Sequence, residues 1–554
     1  MNAARRQAPG LWLAFGAVAL LLACVLRSWQ LGTQILIDDE WHALHKLLQA
    51  DAADIATHFG FADYSIPLTL YYRFLYLHGG LSEWGMHLPL LLAGIAAVVL
   101  LPWLLRREAP PATLALWSAL LAIAPFLVYH SRTARPYALT ALLVLVALFA
   151  FRRWWLQRDG RSGLTYALCA GFAAWLHLIT LPFTLLPFIF FGLAPLAGRD
   201  GRERGASARW RGVRRLILLG LATAALLALA LAPPLATDFA ALAGKSGGGT
   251  VALDTVWRAL LLAAGVGQSW LGAIVLLFAL LGAANWARRD AAFVGYLAFV
   301  VCGAAAAVAV SHAAWVQHPG TFARYLQPAI PLLLLFAAEG LAGVLRPCAP
   351  PLQAALGAAA IAALLALGPI PAWWYAPNQF MTDPYFQFDY DAARNPYRTE
   401  LPDGPIPDFY RRLRAWPAGT LTLIEAPWSL ETDHDPQPLY QRVHRQNIRI
   451  GLTSPLCGVR DYGDFAPTQT GLRFVNFVHL DAVLDGAGGG DLLVLHRHAW
   501  PASRPAPPQW PDEAACLAAV EQRLGTPGYE DPEIAVFGLS EAGRAALVAP
   551  PEMK

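Results

Sequence analysis

The chain has 554 residues, of which 56% are hydrophobic and only 14% are charged. Soluble globular domains contain about 45–50% apolar and about 25% charged residues, so both values indicate a membrane protein. The aromatic content of 11% excludes a disordered chain, and the net charge of +3 is too small to indicate a nucleic-acid partner. Only three of the 41 basic residues are lysines, which is typical of a GC-rich bacterial genome.

Long apolar segments recur along the first 372 residues. A helix needs about 20 mostly apolar residues to cross the hydrocarbon core of a bilayer. Eleven spans are predicted, at roughly 11–28, 86–105, 112–130, 135–151, 164–178, 181–197, 214–234, 257–281, 291–311, 325–345 and 352–372. The first span lacks a small-residue cleavage site, so we interpret it as an anchor and not as a signal peptide.

Clusters of arginine lie at every second junction between these spans. They precede span one and follow spans two, four, six, eight and ten. Short cytoplasmic loops are enriched in Lys and Arg. The pattern therefore predicts a multi-pass protein of the bacterial inner membrane, with a cytoplasmic N-terminus and a periplasmic C-terminal region.

The composition predicts a polytopic helical domain, 1–372, followed by a C-terminal domain, 373–554. The first periplasmic loop covers 29–85. In the C-terminal part, extended apolar runs alternate with helical stretches, and this predicts a small α/β fold. Two of the six cysteines, Cys457 and Cys516, fall there, and an oxidising compartment favours a disulfide between them. The alternative is two buried free thiols.

Three consecutive carboxylates, Asp38, Asp39 and Glu40, follow the first span. Neighbouring carboxylates disfavour each other's ionisation, and a carboxylate there suits a general base that takes a proton from an acceptor hydroxyl or amine. The alternative is a helix N-cap, and the two roles are compatible.

Two amphipathic helices are predicted in the first loop. The first, Glu40 to Gln49, has an apolar side and a polar side that includes His42, and it is expected to lie on the membrane surface. The second is Leu68–His78. Helices of this kind around an acidic motif would form a cleft for a substrate with a polar head and an apolar tail.

Arginines on the predicted external side run against the positive-inside trend. Arg132 and Arg135 lie in a Ser-Arg-Thr-Ala-Arg-Pro-Tyr stretch before span four, and Arg324 precedes Tyr325 before span ten. Guanidinium groups at an interface are natural ligands of phosphate oxygens. The alternatives are snorkelling and salt bridges to the acidic motif.

Other candidates give weaker signals. His177, alone near the end of span five, is more typical of a structural hydrogen bond. Lys245 precedes a glycine run that lacks the spacing of a phosphate-binding loop and is interpreted as a flexible lid. The sequence shows no metal-ligand spacing, so no cofactor is predicted, and a divalent metal is not indicated.

Taken in order, Asp39-Glu40, the Ser131–Leu139 stretch and Arg324-Tyr325-Leu326 ahead of Pro328 resemble the GT-C superfamily of integral-membrane glycosyltransferases. The similar branch contains bacterial relatives of protein O-mannosyltransferases and of the lipid A aminoarabinose transferase. The resemblance covers roughly residues 10–345. One departure is Tyr64-Ser65-Ile66-Pro67, where related chains carry a His-Pro-Pro stretch.

The resemblance implies an inverting transfer of a sugar from a polyprenyl-phosphate carrier to a lipid, glycan or protein acceptor. It implies Asp39 as the base, Glu40 shaping the acceptor or donor site, and Arg135 and Arg324 on the lipid phosphate. A further set is implied as substrate-binding: Arg132, Tyr137, Tyr325, Lys245 and His42. Three alternatives stay open: another enzyme acting on the same carriers, a transporter or flippase of lipid-linked saccharides, and an inactive scaffold subunit.

Overall fold

The computed structural model describes residues 9–36, 39–62, 64–196, 206–373, 406–428, 437–452, 457, 470–497 and 513–548. The chain forms two compact units. Unit 1 comprises Met1–Ser28, Ala50–Leu70 and Leu88–Pro369, and unit 2 comprises Trp29–Gln49, Tyr71–His87 and Ile370–Lys554.

The part of the chain before residue 374 is helical. Its described helices are α1 Pro9–Ser28, α2 Asp39–Gln49, α3 Ala52–Thr57, α4 Ile66–His78, α5 Glu83–Leu104, α6 Pro111–Ile123, α7 Pro125–Ser131, α8 Tyr137–Gln157, α9 Gly160–Leu176, α10 Leu181–Leu196, α11 Ala206–Thr237, α12 Phe239–Ala243, α13 Leu253–Ala264, α14 Ser269–Val310, α15 Pro319–Tyr325, α16 Ala329–Leu345, α17 Pro350–Leu367 and α18 Ile370–Trp373.

Among the described residues, six helices are long and apolar enough to cross a membrane, or up to eight if each of two bent pairs is one span. The number of candidate spans is lower than the predicted eleven for local reasons. Helices α9 and α10 have 17 and 16 residues, and α14 is one 42-residue helix with a single non-helical residue, Asp290. The eighth predicted span is broken at Gly265, whose φ of 79° ends α13. The polytopic helical fold class is confirmed.

One bent pair shows how an arginine stabilises a broken span. Helices α6 and α7 meet at an angle of 60°, at Pro125. Proline has no N–H and interrupts the helical hydrogen bonds, which leaves carbonyls of the preceding turn without helical partners. Buried Arg27 donates to two of these oxygens, those of Leu121 and Ala122, each at 2.9 Å. Its Nε also donates to the Ser131 hydroxyl at 3.3 Å.

Two glycines set the closest helix packing in unit 1. A Cβ added to Gly282 of α14 would lie 1.8 Å from the Phe336 oxygen, and one added to Gly340 of α16 would lie 1.9 Å from the Phe278 oxygen. Small residues allow helix backbones to approach in this way within membranes. Glu339 directly precedes Gly340. Its buried carboxylate accepts hydrogen bonds from Thr113 at 2.8 Å and from Arg289 at 2.7 Å, so it is paired.

A six-stranded sheet forms the centre of the C-terminal region in unit 2. Its order is β3-β2-β1-β4-β6-β5, with β1 to β4 parallel and the last two strands antiparallel to their neighbours. The strands are β1 Thr422–Trp428, β2 Asn447–Leu452, β3 Phe477–His479, β4 Leu492–His496, β5 Tyr529–Glu530 and β6 Ile534–Gly538. The helices are α19 Asp408–Leu413, α20 Gln437–His444, α21 Leu480–Leu484, α22 Glu513–Leu524 and α23 Glu541–Val548. The predicted α/β fold is confirmed.

The two faces of this sheet differ in chemistry. One packs an apolar core around Ile424, Leu493 and Val520, and Cys457 and Cys516 are joined there by a disulfide. The other face buries a polar network. Glu425 accepts from His496 at 2.6 Å and from the Tyr410 hydroxyl at 2.8 Å. Charged and polar groups are buried only when they have partners, so these contacts hold the network together.

The fully buried His444 of α20 predicts acid sensitivity of this face. Burial lowers the pKa of His444 to about 3, because the imidazolium form would lose its hydration. The folded state thus resists protonation while the unfolded state accepts a proton at its ordinary pKa. Stability from this group is fully present above pH ~6.5 and is lost as the pH falls toward 3.

We expect His444→Gln to flatten this pH dependence by about 3 kcal/mol between pH 7.5 and 4.5. Hydrogen exchange of β1 and β4 in the solubilised protein, corrected for intrinsic rates, measures it. The control is His78→Gln at an exposed histidine of α4. Equal pH dependence in the wild type and the His444 variant would show that this histidine is not responsible.

Candidate active site

The central feature of unit 1 is Arg324, held between aromatic rings. It lies in the last turn of α15, and an 86° bend separates α15 from α16. The bend follows from Pro328, which cannot donate to a helical bond. The guanidinium carbon of Arg324 lies 5.1 Å from the ring centre of Tyr137 and 5.6 Å from the ring centre of Tyr325. Arg324 and Tyr325 are half-buried, and Tyr137 is 3% exposed.

Two histidines complete this aromatic cluster. The His177 ring lies 5.5 Å from Tyr137 and 6.1 Å from Tyr325, so it bridges the two phenols. The buried His130 ring lies edge-on to Tyr137 at 5.1 Å. His177 Nδ1 accepts from the Ile179 N–H at 3.3 Å, which places the ring proton of a neutral imidazole on Nε2. The structure thus brings together three predicted residues, Tyr137, Arg324 and Tyr325.

The cluster places a guanidinium beside two phenols and an imidazole. Cation–π attraction, worth about 0.5–2 kcal/mol, orients the guanidinium over the ring faces. The Tyr325 hydroxyl donates to the Ala314 oxygen at 3.4 Å. A planar fork of donors matches the oxygens of a phosphate. Sequence reasoning did not place His177 beside Tyr137 and Tyr325. A lone histidine in an apolar run carries no signal that would have predicted this position.

Arg132 and Arg135 lie in the turn between α7 and α8. Arg132 is buried and donates to the carbonyl oxygens of Leu26 and Arg27 at 3.4 and 3.1 Å. These oxygens lie in the last turn of α1, where carbonyls lack helical partners. The contacts give Arg132 a structural role, and its phosphate-binding role stays a prediction. Arg135 is half-buried, and its backbone N–H donates to the Thr133 oxygen at 2.7 Å.

Lys245 lies over the ring of Tyr64, with its Nζ 4.6 Å from the ring centre. The Tyr64 hydroxyl donates to the Ala241 oxygen at 3.0 Å. Burial and the charge of Asp238 raise the pKa of this hydroxyl. Tyr64 belongs to the stretch that replaces His-Pro-Pro in this chain. It therefore contacts Lys245, a predicted substrate-binding residue, within unit 1.

The glycine run after Lys245 is hydrogen-bonded to a neighbouring segment of unit 1. The N–H groups of Gly247 and Gly248 donate to the His312 oxygen at 2.9 and 2.8 Å. A Cβ at Gly248 would lie 2.1 Å from the Ala313 oxygen, so only glycine allows this approach. The run pairs with the segment after α14, and its role as a flexible lid stays a prediction.

The acidic motif lies in unit 2. Asp39 begins α2, while Asp38 and the side chain of Asp39 lie outside the described part of the structure. Glu40 is completely buried, and its Oε1 lies 2.9 Å from Nε2 of His87, which is equally buried. His87 was missed by the sequence reasoning, since nothing in an apolar run indicates a partner 47 residues earlier.

Helix α2 has both buried and exposed side chains. Leu44 and Leu47 are completely buried, whereas His42 is exposed. The position of this helix on the membrane surface stays a prediction. Among the described residues, no group of three or more His, Cys, Asp or Glu side chains is arranged to hold a metal ion.

No protein-family model matches the sequence, and no curated protein is significantly similar to it. Several solved structures are similar. ArnT from Cupriavidus metallidurans in the apo state is 14% identical with a TM-score of 0.45, covering 97% of this chain and 99% of that chain. The same protein bound to undecaprenyl phosphate is 16% identical with a TM-score of 0.40.

The apo oligosaccharyltransferase of Archaeoglobus fulgidus is 13% identical with a TM-score of 0.43, covering 90% of this chain and 70% of that chain. TM-scores below 0.5 at these low sequence identities do not assign residue roles. The residue roles therefore rest on the residues of this chain.

Proposed function

We propose that the chain is a membrane glycosyltransferase that moves a sugar from a polyprenyl-phosphate carrier to an acceptor on the periplasmic face of the bacterial inner membrane. The observation that carries the proposal is the Arg324 cluster, in which one guanidinium is held by Tyr137 and Tyr325 and bridged by His177. It supports binding of an anionic phosphate at the end of a helix bundle. The apolar helices of unit 1 suit the polyprenyl chain.

The proposed reaction is an inverting displacement at the anomeric carbon of the donor sugar. An acceptor hydroxyl or amine attacks the anomeric carbon and forms the new bond to the sugar. The bond between that carbon and the phosphate oxygen breaks, and polyprenyl phosphate leaves with the electron pair. Asp39 takes the acceptor proton as general base. Arg324 and Arg135 stabilise the negative charge that grows on the departing phosphate.

Asp39→Asn is expected to reduce transfer by at least about 100-fold, because loss of a general base costs about 10²–10⁴ in rate. The assay is sugar transfer by the purified protein from a panel of radiolabelled polyprenyl-phosphate sugars. Asp54→Asn, at an exposed carboxylate of α3 in the same loop, is the control and should retain transfer.

Transfer by both the wild type and the Asp39 variant would remove Asp39 as the base. Absence of transfer from every donor, with donor binding intact, would favour a transporter or a scaffold instead. A folded variant, shown by an unchanged elution profile and melting temperature, is required for either conclusion.

A further inference from the structure

The first turn of α5 carries two buried polar side chains four residues apart, Glu83 and His87. Residues spaced by four lie on the same side of a helix. Glu83 is 2% exposed and His87 is completely buried. Each of them holds a different segment of unit 2, so one side of α5 connects two parts of that unit.

Glu83 holds a segment of the C-terminal domain. Its Oε1 accepts from the backbone N–H groups of Val475 and Asn476 at 2.9 and 2.7 Å. Hydrogen bonds to an ionised acceptor are about twice as strong as neutral ones. Next to it, the Leu81 N–H donates to the Gly471 oxygen at 2.6 Å, and the Arg473 N–H donates to the Leu81 oxygen at 2.7 Å.

The same segment also holds the chain that leads into α2. The side-chain amide of Asn476, 5% exposed, donates to the carbonyl oxygens of Gly32 and Gln34, each at 3.0 Å. Residues 471–476 are therefore bonded to 81–83 on one side and to 32–34 on the other. The second of these stretches ends a few residues before the acidic motif.

His87 holds the other end of that motif. It bonds Glu40, in the first turn of α2, at 2.9 Å with both side chains fully buried. Removing one partner of a buried pair leaves an uncompensated polar group, so each partner fixes the other. The approach to Asp39 is thus held by Asn476, and the turn that follows it is held by His87.

We propose that the C-terminal domain, through residues 471–476 and the two α5 side chains, positions the acidic start of α2. Glu40, Glu83 and His87 are positioning residues for Asp39. This inference rests on the proposed function only in naming Asp39 as the base. The coupling of the C-terminal segment to α2 is a property of the folded chain, and it is measured without any reaction.

Hydrogen exchange of the full-length, solubilised protein tests the coupling. Glu83→Ala is expected to raise exchange by on the order of tenfold or more in residues 471–476 and in the first turns of α2. His87→Gln should raise exchange in α2 and leave 471–476 protected. The control, Glu541→Ala at an exposed carboxylate in the first turn of α23, should change neither segment.

Faster exchange in 471–476 alone, with α2 unchanged, would overturn the proposal. Glu83→Gln keeps an acceptor oxygen and is expected to restore the protection of both segments. If Glu83→Ala fails to fold, Asn476→Ala gives the same test, since it removes only the bonds to Gly32 and Gln34. Unchanged hydrogen exchange of α2 in the folded Asn476→Ala variant would also overturn the proposal.

Activity provides a second measurement. The Asn476 variant should lower kcat by on the order of tenfold while the KM for the donor stays unchanged, because misplacing a catalytic group slows chemistry without weakening donor binding. If Asp39→Asn retains full transfer while the exchange coupling is present, the proposed base is wrong and the coupling stands. If the coupling is absent while Asp39→Asn loses transfer, the proposed base stands and the proposed coupling is wrong.

Discussion

Replacing Arg27 by methionine is expected to destabilise the membrane helices by about 3 kcal/mol or more. The variant keeps an apolar chain of similar length but leaves the Leu121 and Ala122 oxygens without the guanidinium that bonds them. Leu121 and Ala122 are completely buried, so each oxygen left without a partner costs up to several kcal/mol. Thermal unfolding in detergent, followed by size-exclusion chromatography, measures the loss.

The structure supplies a specific rescue for this variant. Pro125→Ala returns the N–H that a continuous helix would direct at the Leu121 oxygen, and it frees the chain to bond the Ala122 oxygen as well. The double variant Arg27→Met with Pro125→Ala should therefore be more stable than Arg27→Met alone. Additive losses in the double variant would show that Arg27 acts in some other way.

Replacing Arg324 by alanine is expected to lower sugar transfer by about 100- to 1,000-fold, because removing one group that stabilises developing charge has an effect of about this size. Its side chain is half-buried and lies over the rings of Tyr137 and Tyr325, so an unchanged melting temperature is the check that the variant is folded. Arg324→Lys should recover little, since an ammonium lacks the planar fork of donors. Initial rates at saturating and limiting donor separate kcat from KM.

A matched control for Arg324 is Arg258→Ala. Arg258 is a half-exposed arginine of α13 that pairs with Asp254 at 2.8 Å, four residues earlier. It should retain transfer. Equal losses in the two variants would mean that any arginine removal impairs the protein, and retained transfer in Arg324→Ala would remove this residue from the phosphate site.

Local patterns predicted the long apolar helices and the alternation of strands and helices in the C-terminal region. The apolar runs match helices because the bilayer requirement is a matter of length and composition, both of which the sequence contains. Strand β2 does not stand out in the sequence as an extended apolar run, since Arg449 and Gly451 interrupt it. Its Ile448 and Ile450 alternate as a strand requires and would have indicated it.

Side-chain pairing was not predictable in the same way. Arg27 bonds oxygens 94 and 95 residues away, and Glu40 bonds a histidine 47 residues away. Such distances along the chain are set by tertiary packing, and no local pattern reflects it. The Arg324 motif was recognised from its order in the chain, whereas its aromatic surroundings came only from the fold.

The junction inside α14 has a practical consequence for topology mapping. Asp290 caps the second half of the helix by accepting from the Phe293 N–H at 2.9 Å, and it also pairs with Arg152, which in turn pairs with Glu108, each at 2.5 Å. The break between the two halves of α14 is this single residue, and its carboxylate already has hydrogen-bond and ion-pair partners. A reporter tag or protease site inserted at Asp290 would therefore break the turn that it is meant to report on.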